Sequence, residues 1–147
     1  MKKVLALGAL SMILAAGFTS CKKYEDGPAI SFRSKKARVV NTWKFTYYQE
    51  NSEIRTDLHQ QDRLNLASDG SVTYSWQTVS TSGKTEYYQN RGNWEFWDNS
   101  EKLRLKMPDA TGTIQITDYV ITQLRENYMD IKTTDGRVII KMKSANR

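Results

Sequence analysis

The sequence has few of the residues that build disulfides, metal sites and nucleophilic centres. It contains one cysteine and one histidine in 147 residues. A single cysteine excludes an internal disulfide, and no cluster of cysteine and histidine is available to bind zinc or copper. The Gly-x-Ser-x-Gly turn that exposes a nucleophilic serine is absent as well. His59 lies in a polar stretch and is interpreted as a loop histidine without partners. We therefore expect neither an enzyme nor a cofactor.

Long apolar runs are also scarce, with one exception near the N-terminus. Residues 4–18 are apolar and follow two lysines, but the run is shorter than the roughly 20 residues that span a bilayer. Residues 15–21 read AAGFTSC and are followed by two further lysines. This segment resembles a bacterial lipobox, although Phe18 stands where leucine is usual. The alternative is an ordinary signal peptide whose removal leaves a free thiol.

The lipobox resemblance implies a signal peptide over residues 1–20 and attachment of palmitate-type acyl chains to Cys21. An aspartate directly after the lipidated cysteine resembles an inner-membrane retention signal, but residue 22 is a lysine. We therefore expect a lipid anchor in the outer membrane, on either of its faces. Residues 21–33 contain Gly27-Pro28 and no sustained periodicity, and are predicted to form the lipidated flexible tether. Residues 34–147 are predicted to form the folded domain.

The positive charge lies next to this tether. Without Lys2 and Lys3 the formal charge falls from +6 to +4, and residues 39–147 carry 14 basic and 14 acidic side chains. A nucleic-acid-binding domain needs its positive charge on the folded surface. The sequence therefore predicts contact with a membrane through the N-terminal lipid and no binding of nucleic acid.

Apolar residues in the rest of the chain recur with a period of two, which indicates half-buried strands. One short helix is expected, over residues 34–40, where Ser34 is a candidate N-cap. Glycine, asparagine and aspartate mark turns between the alternating runs. Gly92 and the out-of-phase stretch 119–124 are candidate bulges. Eight strands are predicted, at 42–49, 61–67, 71–79, 85–96, 101–107, 113–124, 127–133 and 137–143.

Short links between these strands exclude the long crossovers of a parallel sheet, so an antiparallel meander is expected, either closed as a barrel or folded as a sandwich. Three segments then resemble the lipocalin-like domains of small bacterial lipoproteins: VNTWK at 40–44, LNLASDGSVTY at 64–74 and GNW at 92–94. The resemblance implies an all-β, eight-stranded up-and-down barrel with a short N-terminal helix, no enzymatic activity, and Trp43 as the residue that closes the barrel base.

Strict alternation directs eight aromatic side chains inward and places Tyr48 and Trp97 on the outer face. An eight-stranded barrel is just wide enough to be filled by side chains or to hold one small ligand. Both alternatives stay open at this point. A hollow barrel makes this protein a binder of a small apolar or amphipathic molecule, with candidate ligand-binding residues Tyr47, Tyr74, Trp76, Trp94 and Phe96. A solid barrel favours a non-catalytic adaptor that holds a protein or cell-envelope partner on its outer surface. The inward set is Trp43, Phe45, Tyr47, Tyr74, Trp76, Tyr88, Trp94 and Phe96.

Overall fold

The computed structural model describes residues 34–146 as nine strands and two short helices. The predicted signal peptide over residues 1–20, Cys21 and the predicted tether lie outside the described residues. Within 34–146, no helix is both long and apolar enough to cross a membrane. The elements are α1 (Lys35–Val39), β1 (Asn41–Glu50), β2 (Glu53–Ile54), α2 (Thr56–His59), β3 (Arg63–Leu66), β4 (Ser71–Val79), β5 (Thr85–Trp97), β6 (Lys102–Pro108), β7 (Ile114–Leu124), β8 (Tyr128–Thr133) and β9 (Val138–Ser144).

Eight of these strands close into an antiparallel barrel. Each of β3 to β8 pairs with the next strand along the chain, β1 pairs with β3, and β1 also pairs with β9 from Trp43↔Ser144 to Glu50↔Val138. The pairing of β1 with β9 removes both sheet edges. The prediction of an eight-stranded antiparallel up-and-down barrel is confirmed. The two-residue β2 is a small extension on β1 that the sequence analysis did not predict.

The predicted N-terminal helix is present and covers one end of the barrel, which we call the base. The Ser34 hydroxyl caps α1 by accepting a hydrogen bond from the Ala37 N–H at 3.1 Å. The indole N–H of Trp43 donates to the Val39 carbonyl at 2.9 Å, which attaches the end of α1 to the first strand. Trp43 and Val39 are fully buried. The base is therefore filled by side chains.

The rest of the base core comes from the inward positions of the other strands. These side chains are buried without any disulfide in the described part of the chain, so apolar packing is the main source of stability. They are Leu66, Val72, Trp94, Leu103, Ile121, Leu124, Met129 and Met142.

Two β-bulges change which residues face inward. In β1 the register with β9 shifts between Phe45 and Tyr47, leaving Thr46 as the extra residue, and its hydroxyl donates to the Lys141 carbonyl at 3.0 Å. The expected inward position of Tyr47 and outward position of Tyr48 were wrong, because an extra residue exchanges the two faces of all that follows. Tyr48 now packs against the core, while the Tyr47 ring lies under the Lys141 ammonium group at 5.4 Å.

The second bulge confirms one prediction from the sequence. In β7 the register with β8 shifts between Ile121 and Gln123, within the stretch that had lost its alternation. Thr122 is the extra residue, and its hydroxyl donates to the Asp130 carbonyl at 3.2 Å. Threonine thus occupies the extra position in both bulges.

Gly92 was predicted as a bulge and instead marks a close approach of two strands. The β4–β5 register runs through Gly92 without a shift. A Cβ atom at this position would lie 2.0 Å from the Lys106 carbonyl oxygen of β6. Glycine is required here because no side chain fits between the two backbones.

A second short helix, α2, also departs from the prediction of a single helix. Its four residues have no side-chain cap and lie in a polar segment with no helical periodicity, so the sequence carries no signal for it. Contacts with β1 hold it: the Thr56 hydroxyl oxygen accepts from the Tyr48 N–H at 3.0 Å. The helix lies at the end of the barrel opposite α1, which we call the mouth.

Candidate ligand-binding cavity

A cavity of about 200 Å³ lies inside the barrel between the base core and the mouth. Its walls come from the mouth-side halves of the strands, where the side chains do not meet across the barrel. For comparison, an apolar cavity of roughly 150 Å³ holds benzene. The space therefore accommodates a molecule of one ring or a short chain. The lining residues are Phe45, Tyr48, Leu64, Tyr74, Leu105, Met107, Tyr119, Ile131, Val138 and Ile140.

Three tyrosines supply the polar groups of this lining: Tyr48, Tyr74 and Tyr119. Burial raises the pKa of Tyr119 to about 12 and also raises the pKa of Tyr48. The pKa of Tyr74 is raised by burial first and then by its hydrogen bond to Asp62. All three hydroxyls are therefore neutral near pH 7, and the cavity presents hydrogen-bonding groups without a charge on its wall.

A buried carboxylate stands directly behind this wall. The Asp62 side chain is only 2% exposed, and its Oδ2 accepts a hydrogen bond from the Tyr74 hydroxyl. The same oxygen lies 2.7 Å from Nδ1 of His59, and the His59 ring stacks on Tyr48 with ring centroids 3.8 Å apart. These four residues join α2 to β1 and β4 and form one hydrogen-bonded edge of the mouth.

This network was missed from the sequence, which assigned no partners to His59. The available signal was the spacing of His59 and Asp62, three residues apart at the entry to β3. Such a spacing brings the two side chains together only if a helical turn forms there. Because α2 is stabilised by tertiary contacts, the sequence alone did not indicate that turn.

The mouth is extended on one side by an arm made of β4 and β5. Beyond Ser75, β4 pairs only with β5, and before Asn93, β5 pairs only with β4. The inner face of the arm carries a ladder of stacked rings: Tyr74 and Trp76 have centroids 5.2 Å apart, and Trp76 and Tyr88 5.6 Å. The ladder leads from the cavity wall out to solvent.

The structure brings some of the predicted binding residues to the cavity and separates others from it. Tyr74 lines the cavity. Trp76 continues the same inward face along the arm and is half-buried. Tyr47 lies on the outer surface of β1. Whether any of them contacts a ligand stays a prediction.

The other two predicted binding residues, Trp94 and Phe96, lie deeper, in the packed part of the barrel. Trp94 is 5% exposed, and its indole N–H donates to the Ala67 carbonyl at 2.8 Å. Phe96 packs against Trp94 edge to face, with centroids 5.6 Å apart. Tyr88, expected inside, is 42% exposed because the arm extends past the closed barrel. Trp97 is on the outer face, as expected, under the Arg104 guanidinium at 3.9 Å.

Residues 34–146 contain no group of three or more histidine, cysteine, aspartate or glutamate side chains placed to hold a metal ion. The cavity has apolar walls and three tyrosine hydroxyls, with one buried carboxylate behind the wall.

Comparison with solved structures identifies the class of fold. A lipocalin-like protein from Bacteroides uniformis ATCC 8492 matches with a TM-score of 0.55 at 9% sequence identity, over 73% of this chain and 98% of that one. An uncharacterized protein from Bacteroides eggerthii DSM 20697 matches with a TM-score of 0.53 at 12% identity, over 71% of this chain and 98% of that one. No protein-family model and no curated protein matches the sequence. At these identities the likeness shows the fold alone, a lipocalin-like barrel.

Proposed function

We propose that this protein is a lipid-anchored binding protein of the cell envelope whose lipocalin-like barrel holds a small, largely apolar molecule. The observation that carries the proposal is the cavity of about 200 Å³ at the mouth of the barrel. An adaptor that works only through its outer surface needs no such space, because a void in a core reduces stability. The proposal includes no catalytic step.

The position of the cavity fits an anchor at the N-terminus. The described chain enters the barrel at the base, through α1, and the cavity lies toward the opposite end. With an acyl group on Cys21, a tether of about 12 residues reaches at most about 40 Å. A barrel attached in this way is joined to its anchor at the base, so the attachment does not obstruct the mouth.

Binding can be tested with toluene, which has a size suited to the cavity and no charge. Met107 lines the cavity, whereas Met129 and Met142 are fully buried in the base. Titration of the full chain should shift the Met107 methyl NMR signal saturably, with a Kd on the order of 1 mM, and leave the other two methyl signals unchanged.

A matched pair of variants locates the binding. Val138→Phe fills the cavity from its wall and should weaken toluene binding at least tenfold. Ile116→Phe adds a ring on the outer face, where Ile116 is 58% exposed, and should leave binding unchanged. Equal binding by both variants would mean that toluene does not occupy this cavity, and the proposed function would be wrong.

The anchor has its own test. Cells grown with a clickable palmitate analogue should label the protein, and the Cys21→Ala variant should lose both the label and its partition into detergent. Ser20→Ala keeps a small residue before the cysteine and should still be labelled. Labelling that persists in Cys21→Ala would refute the anchor without affecting the proposed cavity.

A further inference from the structure

We propose that the cavity selects neutral or cationic molecules that carry a hydrogen-bond donor, and that it discriminates against carboxylates such as fatty acids. This inference rests on the proposed function and names the ligand class of the same site. The observation that carries it is the placement of Asp62 and Tyr74 at the polar edge of the cavity.

Asp62 holds its carboxyl group in a fixed position, one hydrogen bond behind Tyr74, which lines the cavity. Its main-chain N–H donates to the His59 carbonyl at 3.0 Å, and its carbonyl accepts from the Phe45 N–H at 3.3 Å. Phe45 itself lines the cavity. The carboxylate is therefore held behind the wall at both backbone and side chain, and at 2% exposure water screens it little.

The hydrogen bond to Asp62 also determines whether the Tyr74 hydroxyl can donate a hydrogen bond to a ligand or accept one from it. A tyrosine hydroxyl has one proton, and that of Tyr74 is donated to Asp62 Oδ2. The Tyr74 side chain lines the cavity, and its hydroxyl oxygen is left as an acceptor. A ligand hydroxyl or ammonium group can donate to it, whereas a carboxylate cannot.

The arginines near the mouth, whose positive charge could favour an anion, already have partners of their own. None of the ten lining side chains is charged. Arg55 lies 2.8 Å from a Glu53 carboxylate oxygen and 3.7 Å from Glu50, and Arg63 donates to the Asp62 carbonyl at 2.9 Å. An anion inside would be desolvated without a cationic partner in the lining and would lie near a second carboxylate.

Four probes that share one ring separate the alternatives: toluene, benzyl alcohol, benzylammonium and benzoate. Each is titrated into the full chain at pH 8, with the Met107 methyl signal as the readout. We expect benzyl alcohol and benzylammonium to bind at least tenfold more tightly than benzoate, and benzoate to bind more weakly than toluene. The inference would be overturned if benzoate bound as tightly as benzyl alcohol.

Two substitutions test the assigned groups. Asp62→Asn keeps the shape and an acceptor for Tyr74 but removes the charge, so the benzylammonium-to-benzoate ratio should fall to less than about threefold. Asp57→Asn removes an exposed charge from α2, five residues before Asp62, and should leave the ratio unchanged. An unchanged ratio in Asp62→Asn would overturn the role of Asp62.

Tyr74→Phe provides a second measure if Asp62→Asn does not fold. It removes the acceptor, so benzyl alcohol should bind this variant more weakly than the unsubstituted protein while toluene binding is unchanged, and undiminished binding of benzyl alcohol would contradict the inference. The outcomes also distinguish the two proposals. Toluene binding without discrimination between alcohol and carboxylate would overturn the ligand class and keep the proposed function. If none of the four probes shifts Met107, the proposed function itself fails.

Discussion

Replacement of Trp43 by alanine tests whether this residue closes the barrel base. The side chain is fully buried, and truncation of a buried tryptophan destabilises by about 3–5 kcal/mol. Its indole N–H also satisfies the Val39 carbonyl at 2.9 Å, and a buried group left unsatisfied adds about 1–3 kcal/mol. We therefore expect a loss of roughly 4–8 kcal/mol from a free energy of unfolding of about 5–15 kcal/mol.

Urea denaturation followed by circular dichroism measures this loss, because the strand signal does not depend on the removed indole. Trp43→Phe separates the two contributions: most of the buried area stays, so the loss should be about 1–3 kcal/mol, from the unsatisfied Val39 carbonyl. Trp97→Ala is the matched control. Trp97 is 47% exposed, and its stacking with Arg104 is worth about 0.5–1 kcal/mol.

The result that would refute this reasoning is a similar loss in the Trp43→Ala and Trp97→Ala variants, within about 1 kcal/mol. It would mean that the base tolerates a large void, or that α1 does not depend on the Val39 contact. A loss in Trp43→Phe as large as that in Trp43→Ala would show that the hydrogen bond, and not the packing, holds the base.

Two further predictions follow from the strand contact at Gly92 and from the buried hydroxyl of Tyr119. Gly92→Ala should lower the free energy of unfolding by at least about 2 kcal/mol in urea titrations, because its Cβ would meet the Lys106 carbonyl oxygen at 2.0 Å. Burial raises the pKa of Tyr119 to about 12, so the fold favours the neutral hydroxyl; the associated stability is complete below the ordinary pKa of about 10 and is lost as the pH rises through 12. Absorbance titration of the tyrosines should show one fewer late-ionising group in Tyr119→Phe, and an unchanged titration curve would contradict the assignment.

Much of the fold follows from local patterns in the chain. Alternation of apolar and polar residues predicted the eight barrel strands, since a strand with one buried face must bury every second side chain. The turn at residues 67–71 also follows from its local sequence. Gly70 has φ of +88°, and the Asp69 carboxylate accepts a hydrogen bond from the Ser71 N–H at 2.8 Å. Ser34 likewise marked the start of α1.

Where the alternation is interrupted, the outcome depended on partner strands. Because Thr46 is an extra residue, Tyr47 faces outward and Tyr48 faces the core. The Thr46 hydroxyl donates a hydrogen bond to the carbonyl of Lys141, in a strand about 95 positions away. The sequence near residue 46 is a regular alternation and contains no sign of the bulge. In β7 the break in alternation was visible in the sequence, so that bulge was predictable.

The closed barrel and its cavity are likewise products of the whole chain. Contact between β1 and β9 joins segments at opposite ends of the domain, and the sequence left a sandwich open because both architectures bury the same alternating residues. Alternation also reveals which side chains point inward but not whether their volumes fill the space. That depends on how the strands splay at the mouth and on the arm that carries Trp76 out of the closed barrel.

The sequence by itself determined the strands, the turns, the N-terminal helix and the kind of residue that faces the core, because these depend on neighbours a few positions apart. The tertiary structure alone decided the base of packed side chains, the cavity of about 200 Å³ above it, and the union of His59, Asp62 and Tyr74 at its edge. These features require side chains from α2, β1 and β4 to meet in space. Their physical origin is packing and desolvation in the closed barrel, which no short stretch of the chain encodes.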